Sequence, residues 1–132
     1  MTKFVIDPGV AIRLAVERID VPAGHRLLAP TLFRSQVLAT LHEAVHRGDL
    51  PAAEARARLD RIGRMPIRLL GDGVLRRRAW DIAERLGWAT TYDAEYLALT
   101  RLQGDAFVTL DADLARRADG IVPTASIDAL RV

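Results

Sequence analysis

The chain of 132 residues is 50% hydrophobic and 27% charged, a composition that predicts one globular domain over residues 1–132 and argues against disorder. It contains no cysteine, which excludes disulfides, thiolate zinc sites and cysteine nucleophiles. The 19 basic residues exceed the 17 acidic ones by only two, so the net charge does not indicate a nucleic-acid-binding protein. The lack of a long apolar run predicts a cytoplasmic protein without a signal peptide.

The first half of the chain is predicted to form a strand, a short extended segment and three helices. Apolar, β-prone residues predict a strand over Lys3–Asp7 and an extended segment over Leu27–Pro30. Apolar residues at helical spacing predict helices over Gly9–Arg18, from an N-cap at Thr31 to about Arg47, and from an N-cap at Asp49 to Ile62.

The second half continues the alternation of strands and helices. The predicted elements are a strand Ile67–Leu70, a helix from Asp72 or Gly73 to Leu86, a helix Asp93–Leu102, a strand Ala106–Leu110, a helix Ala112–Arg117 and an extended segment Ile121–Val122. Tyr96, Trp80 and Trp88 are expected in the core. Strands separated by helical crossovers predict an α/β fold with a parallel sheet covered on both faces.

Three aspartates lie at the ends of these predicted elements. Asp7 and Asp111 follow apolar strands, and Asp93 opens a helix. Because open α/β sheets bind ligands at the carboxyl ends of their strands, the three carboxylates are expected to converge there. Clustered carboxylates repel one another unless a cation lies between them, which points to Mg²⁺ or Mn²⁺ and to metal-assisted phosphodiester hydrolysis.

A purely structural explanation of the same aspartates stays open. Aspartate is favoured as a helix N-cap and in turns for reasons unrelated to catalysis, so Asp7 and Asp93 could be caps and Asp111 a turn residue.

Three segments resemble the motifs of PIN-domain nucleases, and most closely those of the VapC-type toxins of bacterial toxin-antitoxin pairs. Phe4–Ala11 resembles the opening strand and first helix of that family, Thr91–Leu99 its tyrosine-aspartate-alanine helix start, and Val108–Ala115 its last acidic motif. The motif order and the chain length also match.

The resemblance implies a three-layer α/β/α domain with a short central parallel sheet, an Mg²⁺- or Mn²⁺-dependent endoribonuclease activity on RNA, a homodimer, and inhibition by a cognate antitoxin. It makes Asp7, Asp93 and Asp111 the metal-site acids. Asp113 would assist as a fourth carboxylate through water, or else is an exposed first-turn acid favoured by the helix dipole. Thr109 lies where the family often has a small hydroxyl residue.

One position departs from the family pattern. Ala29–Leu41 resembles the second motif, but Gln36 stands where glutamate is usual. A glutamine oxygen can still ligate a hard cation or hold a water, yet it lacks the Coulomb attraction of a carboxylate. Two hypotheses therefore remain: a working nuclease with a three-aspartate site, or a weakened domain that binds RNA or its antitoxin.

Two further patterns compete for a function. His42-Glu43-Ala44-Val45-His46 satisfies the zinc-protease signature, for which a stoichiometric zinc ion would be required, although the pattern also arises by chance. All basic residues but Lys3 are arginines, whose planar fork suits phosphate, although a GC-rich genome produces the same bias. Arg13, Arg116 and Arg117 follow the aspartates closely enough to be candidate phosphate contacts.

Overall fold

The computed structural model describes all 132 residues and contains five strands, six α-helices and one 3₁₀ helix. In chain order these are β1 (Thr2–Ile6), α1 (Pro8–Glu17), β2 (His25–Pro30), α2 (Phe33–His46), α3 (Ala52–Gly63), β3 (Ile67–Leu70), α4 (Gly73–Leu86), α5 (Tyr92–Gln103), β4 (Ala106–Val108), α6 (Ala112–Ala118), β5 (Thr124–Ala125) and a 3₁₀ helix (Ile127–Arg131).

The strands form one all-parallel sheet in the order β3-β2-β1-β4-β5. The first three strands run outward from the centre to one edge, and the last two run outward to the other. The chain therefore reverses its direction across the sheet between β1 and β4, which makes the carboxyl ends of these two strands the topological switch point.

Helices cover both faces of this sheet, which confirms the predicted three-layer α/β/α fold. Helices α1, α2 and α3 pack against one another in one layer, and α4 packs against α5, which contacts β1, β2 and β4. The side chains of Val5, Ile6, Phe107 and Val108 are fully buried, because a central parallel strand has helices on both sides and cannot alternate apolar with polar residues.

Helix α4 begins and ends as its sequence predicts. Asp72 is the N-cap, and its Oδ1 accepts a hydrogen bond of 2.9 Å from the amide of Leu75. The helix ends at Gly87, whose φ of 70° lies in the left-handed region that a glycine adopts without a Cβ clash.

Two other predicted caps are wrong. Helix α2 begins after Leu32, which makes no side-chain cap bond, so Thr31 is not the cap. Helix α3 begins after Pro51, and the carboxylate of Asp49 accepts from Arg47 instead. Pro51 has an extended backbone, whereas Leu32 already has helical dihedrals, so in neither place does a polar side chain mark the start of the helix.

Three predictions near the end of the chain and in the core also need correction. Strand β4 ends at Val108 rather than Leu110, and the last strand is Thr124–Ala125 rather than Ile121–Val122. Trp80 is 65% exposed and donates to Glu84, whereas Tyr96 is buried as expected and Trp88 is partly buried against the core. None of the helices is long and apolar enough to span a bilayer.

Candidate active site

Asp7 lies directly after β1 and is held by two hydrogen bonds. It is the N-cap of α1, where its Oδ1 accepts from the amide of Val10 at 3.1 Å. Its Oδ2 accepts from the hydroxyl of Thr109 at 2.5 Å. The helix start and the neighbouring strand thus fix the position of this partly buried carboxylate.

Thr109 and Asp111 link Asp7 to the segment that follows β4. The Thr109 hydroxyl, while donating to Asp7, accepts from the amide of Asp111 at 3.1 Å. Asp111 caps α6, with its Oδ1 accepting from the amides of Asp113 at 3.0 Å and Leu114 at 3.1 Å. The structure therefore brings the predicted hydroxyl residue and two predicted acids together at the switch point, and both acids also cap helices.

Asp93 is the second residue of α5 and is not its cap. The N-cap residue is Thr91, and it forms no side-chain cap bond. Asp93 instead lines a cavity of about 290 Å³ together with Asp111 and Asp113. The explanation that these aspartates are only helix caps or turn residues thus holds for Asp7, and in part for Asp111, which caps α6. It fails for Asp93, which is not a cap.

Burial and neighbouring negative charge raise the pKa of two of the three aspartates. The pKa of Asp7 is raised mainly by burial and further by the charges of Asp93 and Asp111, although its hydrogen bonds from Thr109 and Val10 oppose the shift. The pKa of Asp93 is raised by loss of hydration and then by Asp111. The charges of Asp93 and Asp111 therefore disfavour the charged form of Asp7, and the charge of Asp111 disfavours that of Asp93, a situation that a bound cation relieves.

The donor set fits a hard divalent cation, because it consists of carboxylate oxygens without sulfur or imidazole. As placed, the side chains do not form a finished binding site: no group of three or more His, Asp or Glu residues is arranged to hold one ion jointly. One oxygen of Asp7 and one of Asp111 accept from helix amides in this arrangement.

Gln36 lies in the first turns of α2 and contacts the opposite layer. Its Oε1 accepts a hydrogen bond of 2.6 Å from the hydroxyl of Tyr96. Burial raises the pKa of the Tyr96 hydroxyl strongly, and the charges of Asp7, Asp93 and Glu95 raise it further, so Tyr96 stays a neutral donor. The glutamine oxygen is therefore engaged by a protein group beside the acids.

The three candidate phosphate contacts differ in position. Arg117 lines the acidic cavity, and it pairs with Asp113 at 3.1 Å. Arg116 also pairs with Asp113, but it does not line the cavity. Arg13 pairs with Glu17 on the surface of α1 and does not line the cavity either.

The histidines of the competing signature do not form a metal cluster. His42, Glu43 and His46 are all exposed on α2, and no third ligand joins them.

The structure also adds residues that the sequence reasoning did not assign to the site. The loop between α4 and α5, residues 87–90, forms one wall of the acidic cavity. Tyr96 is buried in the core as predicted, and its hydroxyl also reaches Gln36. Its spacing of three residues from Asp93 puts both on one helix face, which is the signal that could have identified it.

Comparison with known proteins agrees with this architecture. The family model of the PIN domain matches residues 4–120. A crystal structure of PAE2754 from Pyrobaculum aerophilum is similar with a TM-score of 0.77 and 23% identity, over 98% of this chain and 92% of that one.

A chain of the VapBC2 complex from Rickettsia felis, bound to a DNA fragment from their promoter, is similar with a TM-score of 0.58 and 10% identity, over 95% of this chain and 98% of that one. A search of curated proteins gave no match. At these identities the solved structures support the fold, and the family model covers most of the sequence. The chain therefore belongs to the PIN domain family.

Proposed function

We propose that this chain is a VapC-type endoribonuclease that hydrolyses RNA phosphodiester bonds with the help of Mg²⁺ or Mn²⁺. The observation that carries the proposal is the position of three carboxylates: Thr109 links Asp7 to Asp111 at the switch point of the sheet, and Asp93 lines the same cavity as Asp111. Membership of the PIN domain family, whose members are generally nucleases, and the likeness to a VapBC2 chain both support it.

Asp7, Asp93 and Asp111 would hold the divalent ion, with Asp113 assisting from the first turn of α6. The chemistry that such an ion supplies is neutralisation of charge on the phosphate and activation of a water for attack on phosphorus. The donor set of carboxylate oxygens suits Mg²⁺ and Mn²⁺, which both favour hard ligands.

The surrounding residues of this chain orient those acids and the substrate. Thr109, directly after β4, donates to Asp7 and so links the ends of β1 and β4. Arg117, at the wall of the cavity, can exchange its exposed pair with Asp113 for a substrate phosphate, since surface ion pairs contribute little free energy. Arg13 and Arg116, which do not line the cavity, would contact phosphates farther along the RNA.

The bond between Tyr96 and Gln36 favours a second candidate function. Because the Gln36 oxygen already accepts from Tyr96 and carries no charge, it contributes less to cation binding than a glutamate would. The alternative is a domain that binds RNA or antitoxin and cleaves slowly or not at all. RNA that is bound by purified protein but not cleaved at any divalent-ion concentration would favour this alternative.

Two partners belong to the proposal. The cognate antitoxin would block the acidic cavity, and a second copy of this chain would form a homodimer. Sedimentation of the purified protein, alone and after co-expression with a candidate antitoxin, measures both assemblies. A strictly monomeric protein would remove the homodimer from the proposal.

The nuclease activity is tested by RNA cleavage with Mg²⁺ or Mn²⁺ and with EDTA. We expect cleavage only with the ion, and a loss of about a hundredfold or more in Asp93→Asn, because a neutral amide cannot replace the charge of the carboxylate at the metal. The matched control is Asp119→Asn, an exposed aspartate at the end of α6 that does not line the cavity. Equal activity in the two variants would contradict the proposed site.

A further inference from the structure

A larger cavity lies at the amino ends of β2 and β3, whereas the aspartates Asp7 and Asp111 follow the carboxyl ends of β1 and β4. It has a volume of about 710 Å³ and is formed by the end of α1, the loop that follows, the start of β2 and the end of α3. Small-molecule sites in proteins commonly enclose roughly 300 to 1,000 Å³. The cavity is therefore of a size to hold a ligand, and no residue of the proposed nuclease site lines it.

The lining of this cavity combines an apolar floor with a basic rim. Leu14, Leu27 and Leu28 belong to the core and form part of the floor, and Ile19 and Met65 extend it. The rim carries Arg18, Arg26, Arg61, Arg64 and Arg68. Asp20 is the only acid that lines the cavity, so its positive surplus of four exceeds the surplus of two of the whole chain.

Most of these arginines form no ion pair with an acidic residue. Arg18, Arg64 and Arg68 are exposed and take part in none of the ion pairs of the structure. Arg61 does pair with Glu54, yet its Nε is buried without a hydrogen-bond partner, as is the Nδ1 of His25. Buried polar atoms without partners are costly, and both side chains line the cavity.

The backbone at Arg18 gives an independent indication. Arg18 follows α1 with φ of 52° and ψ of 45°, and it is the only residue other than glycine with a positive φ. Helix ends of this kind usually carry glycine, which adopts the left-handed region without steric cost. An arginine here places a cationic side chain in the cavity at the expense of backbone stability.

We propose that this cavity binds a nucleoside phosphate, with the base over the apolar floor and the phosphate among Arg18, Arg64 and Arg68. Guanidinium groups suit both parts, because they bind phosphate through paired N–H groups and stack on planar bases. The ligand is either a free nucleotide or one nucleotide of an RNA strand. The proposal does not depend on the nuclease function, since binding in this cavity requires neither the aspartates nor a metal.

Binding is measured on the full-length protein in EDTA, by NMR shifts of the methyl groups of Leu27, Leu28 and Met65. The probes are adenosine 5′-monophosphate, adenosine, inorganic phosphate, a six-residue uridine RNA and a six-residue glutamate peptide. A free nucleotide as ligand predicts shifts with the monophosphate, and an RNA strand predicts shifts with the RNA alone. No shift with either probe, equal binding of inorganic phosphate, or preferential binding of the peptide would overturn the proposal.

Variants of the rim test whether the arginines make the contact. Arg64→Ala and Arg68→Ala are each expected to weaken binding about tenfold, since each loses a charge-assisted hydrogen bond. Arg101→Ala, an exposed arginine at the far end of α5 that does not line the cavity, is the control and should bind normally.

Arg18→Gly separates a ligand contact from a structural role. It should leave the melting temperature unchanged or raise it, because glycine relieves the left-handed backbone, while it weakens binding. Unaltered affinity in all three rim variants would show that the arginines serve the fold alone and would overturn the proposal.

Discussion

Asp7 shows how one residue serves folding and chemistry at the same time. Its carboxylate caps α1 and accepts from Thr109, while burial and two neighbouring acids raise its pKa. The hydrogen bonds thus stabilise the charged carboxylate, whereas burial and the neighbouring negative charges destabilise it. A helix cap needs only an oxygen acceptor, so the cap accounts for the position of this side chain, and the proposed metal site would make use of its negative charge.

The electrostatic penalty at Asp7 leads to a prediction about pH and stability. Since the folded protein binds the Asp7 proton more tightly than the unfolded chain, this group contributes stability below its unfolded pKa of 3.8, and the contribution is lost as pH rises through the higher folded value. We expect Asp7→Asn, which keeps the cap, to raise the melting temperature by a few degrees at pH 7 in EDTA and to have no such effect near pH 3.

Thermal unfolding of both proteins across pH 3 to 8 measures this difference, with the exposed Asp119→Asn as the control. A melting temperature of Asp7→Asn below that of the wild type at pH 7 would show that the charged form is stabilised by its hydrogen bonds and would contradict the assignment.

Gln36 is the residue at which this chain departs from the usual family pattern, because it has an amide where the glutamate of that pattern has a carboxylate. Gln36→Glu places a carboxylate beside Tyr96, whose hydroxyl can donate to it as it does to the amide oxygen. We expect the apparent affinity for Mn²⁺ to rise by about tenfold, since ligand charge count tunes the binding of hard cations. Binding is measured by titration of the metal-free protein.

The control for this change is Gln103→Glu, which adds the same charge at the last residue of α5, where the surface is exposed. An equal gain in both variants would mean that net charge, and not the position beside the aspartates, sets the affinity.

At the scale of helices and strands, hydrogen-bonded caps set several of the boundaries. Asp72 and Asp49 both precede predicted helices in the sequence, yet only Asp72 binds a helix amide. Strand β4 ends at Val108, two residues earlier than the apolar run suggests, because Thr109 turns toward Asp7 and the backbone then enters the cap of α6.

This contrast between the two aspartates can be measured. Asp72→Ala is expected to cost about 1 kcal/mol, the usual contribution of an N-cap side chain. Asp49→Ala should change stability by less than about 0.5 kcal/mol, because it removes only an exposed pair with Arg47. Urea unfolding of both variants provides the comparison, and equal losses would contradict the assigned caps.

At the scale of the whole molecule, the core and the site share the same central strands. Phe107 is fully buried in β4 and lies against Tyr96, with ring centroids 6.1 Å apart. Tyr96 in turn donates to Gln36. Packing between β4 and α5 therefore positions a hydroxyl group at the edge of the candidate site.

Phe107→Ala is expected to lower the free energy of unfolding by about 3 to 5 kcal/mol, through lost burial and the cavity that remains. Trp80→Ala removes a larger side chain, but it should cost less than about 1 kcal/mol because Trp80 is 65% exposed. Urea unfolding of the two proteins decides between the buried and exposed positions. A larger loss for Trp80 would show that this residue packs in the core after all.

The local order of residues determined much of this protein. Apolar runs and helical spacing predicted the α/β alternation, β1, β3, α4 and the aspartates at the strand ends, because these features depend on neighbours within a few positions. The motifs around Asp7, Asp93 and Asp111 also indicated the family from the sequence.

Only the tertiary structure decided which of these pieces meet. The strand order places β1 beside β4, so that Thr109 reaches Asp7 across 102 positions, and Tyr96 reaches Gln36 across 60. The basic cavity likewise joins α1, β2 and α3. Such contacts follow from the packing of whole layers, in which the burial of every element competes at once, and a local pattern does not contain that information.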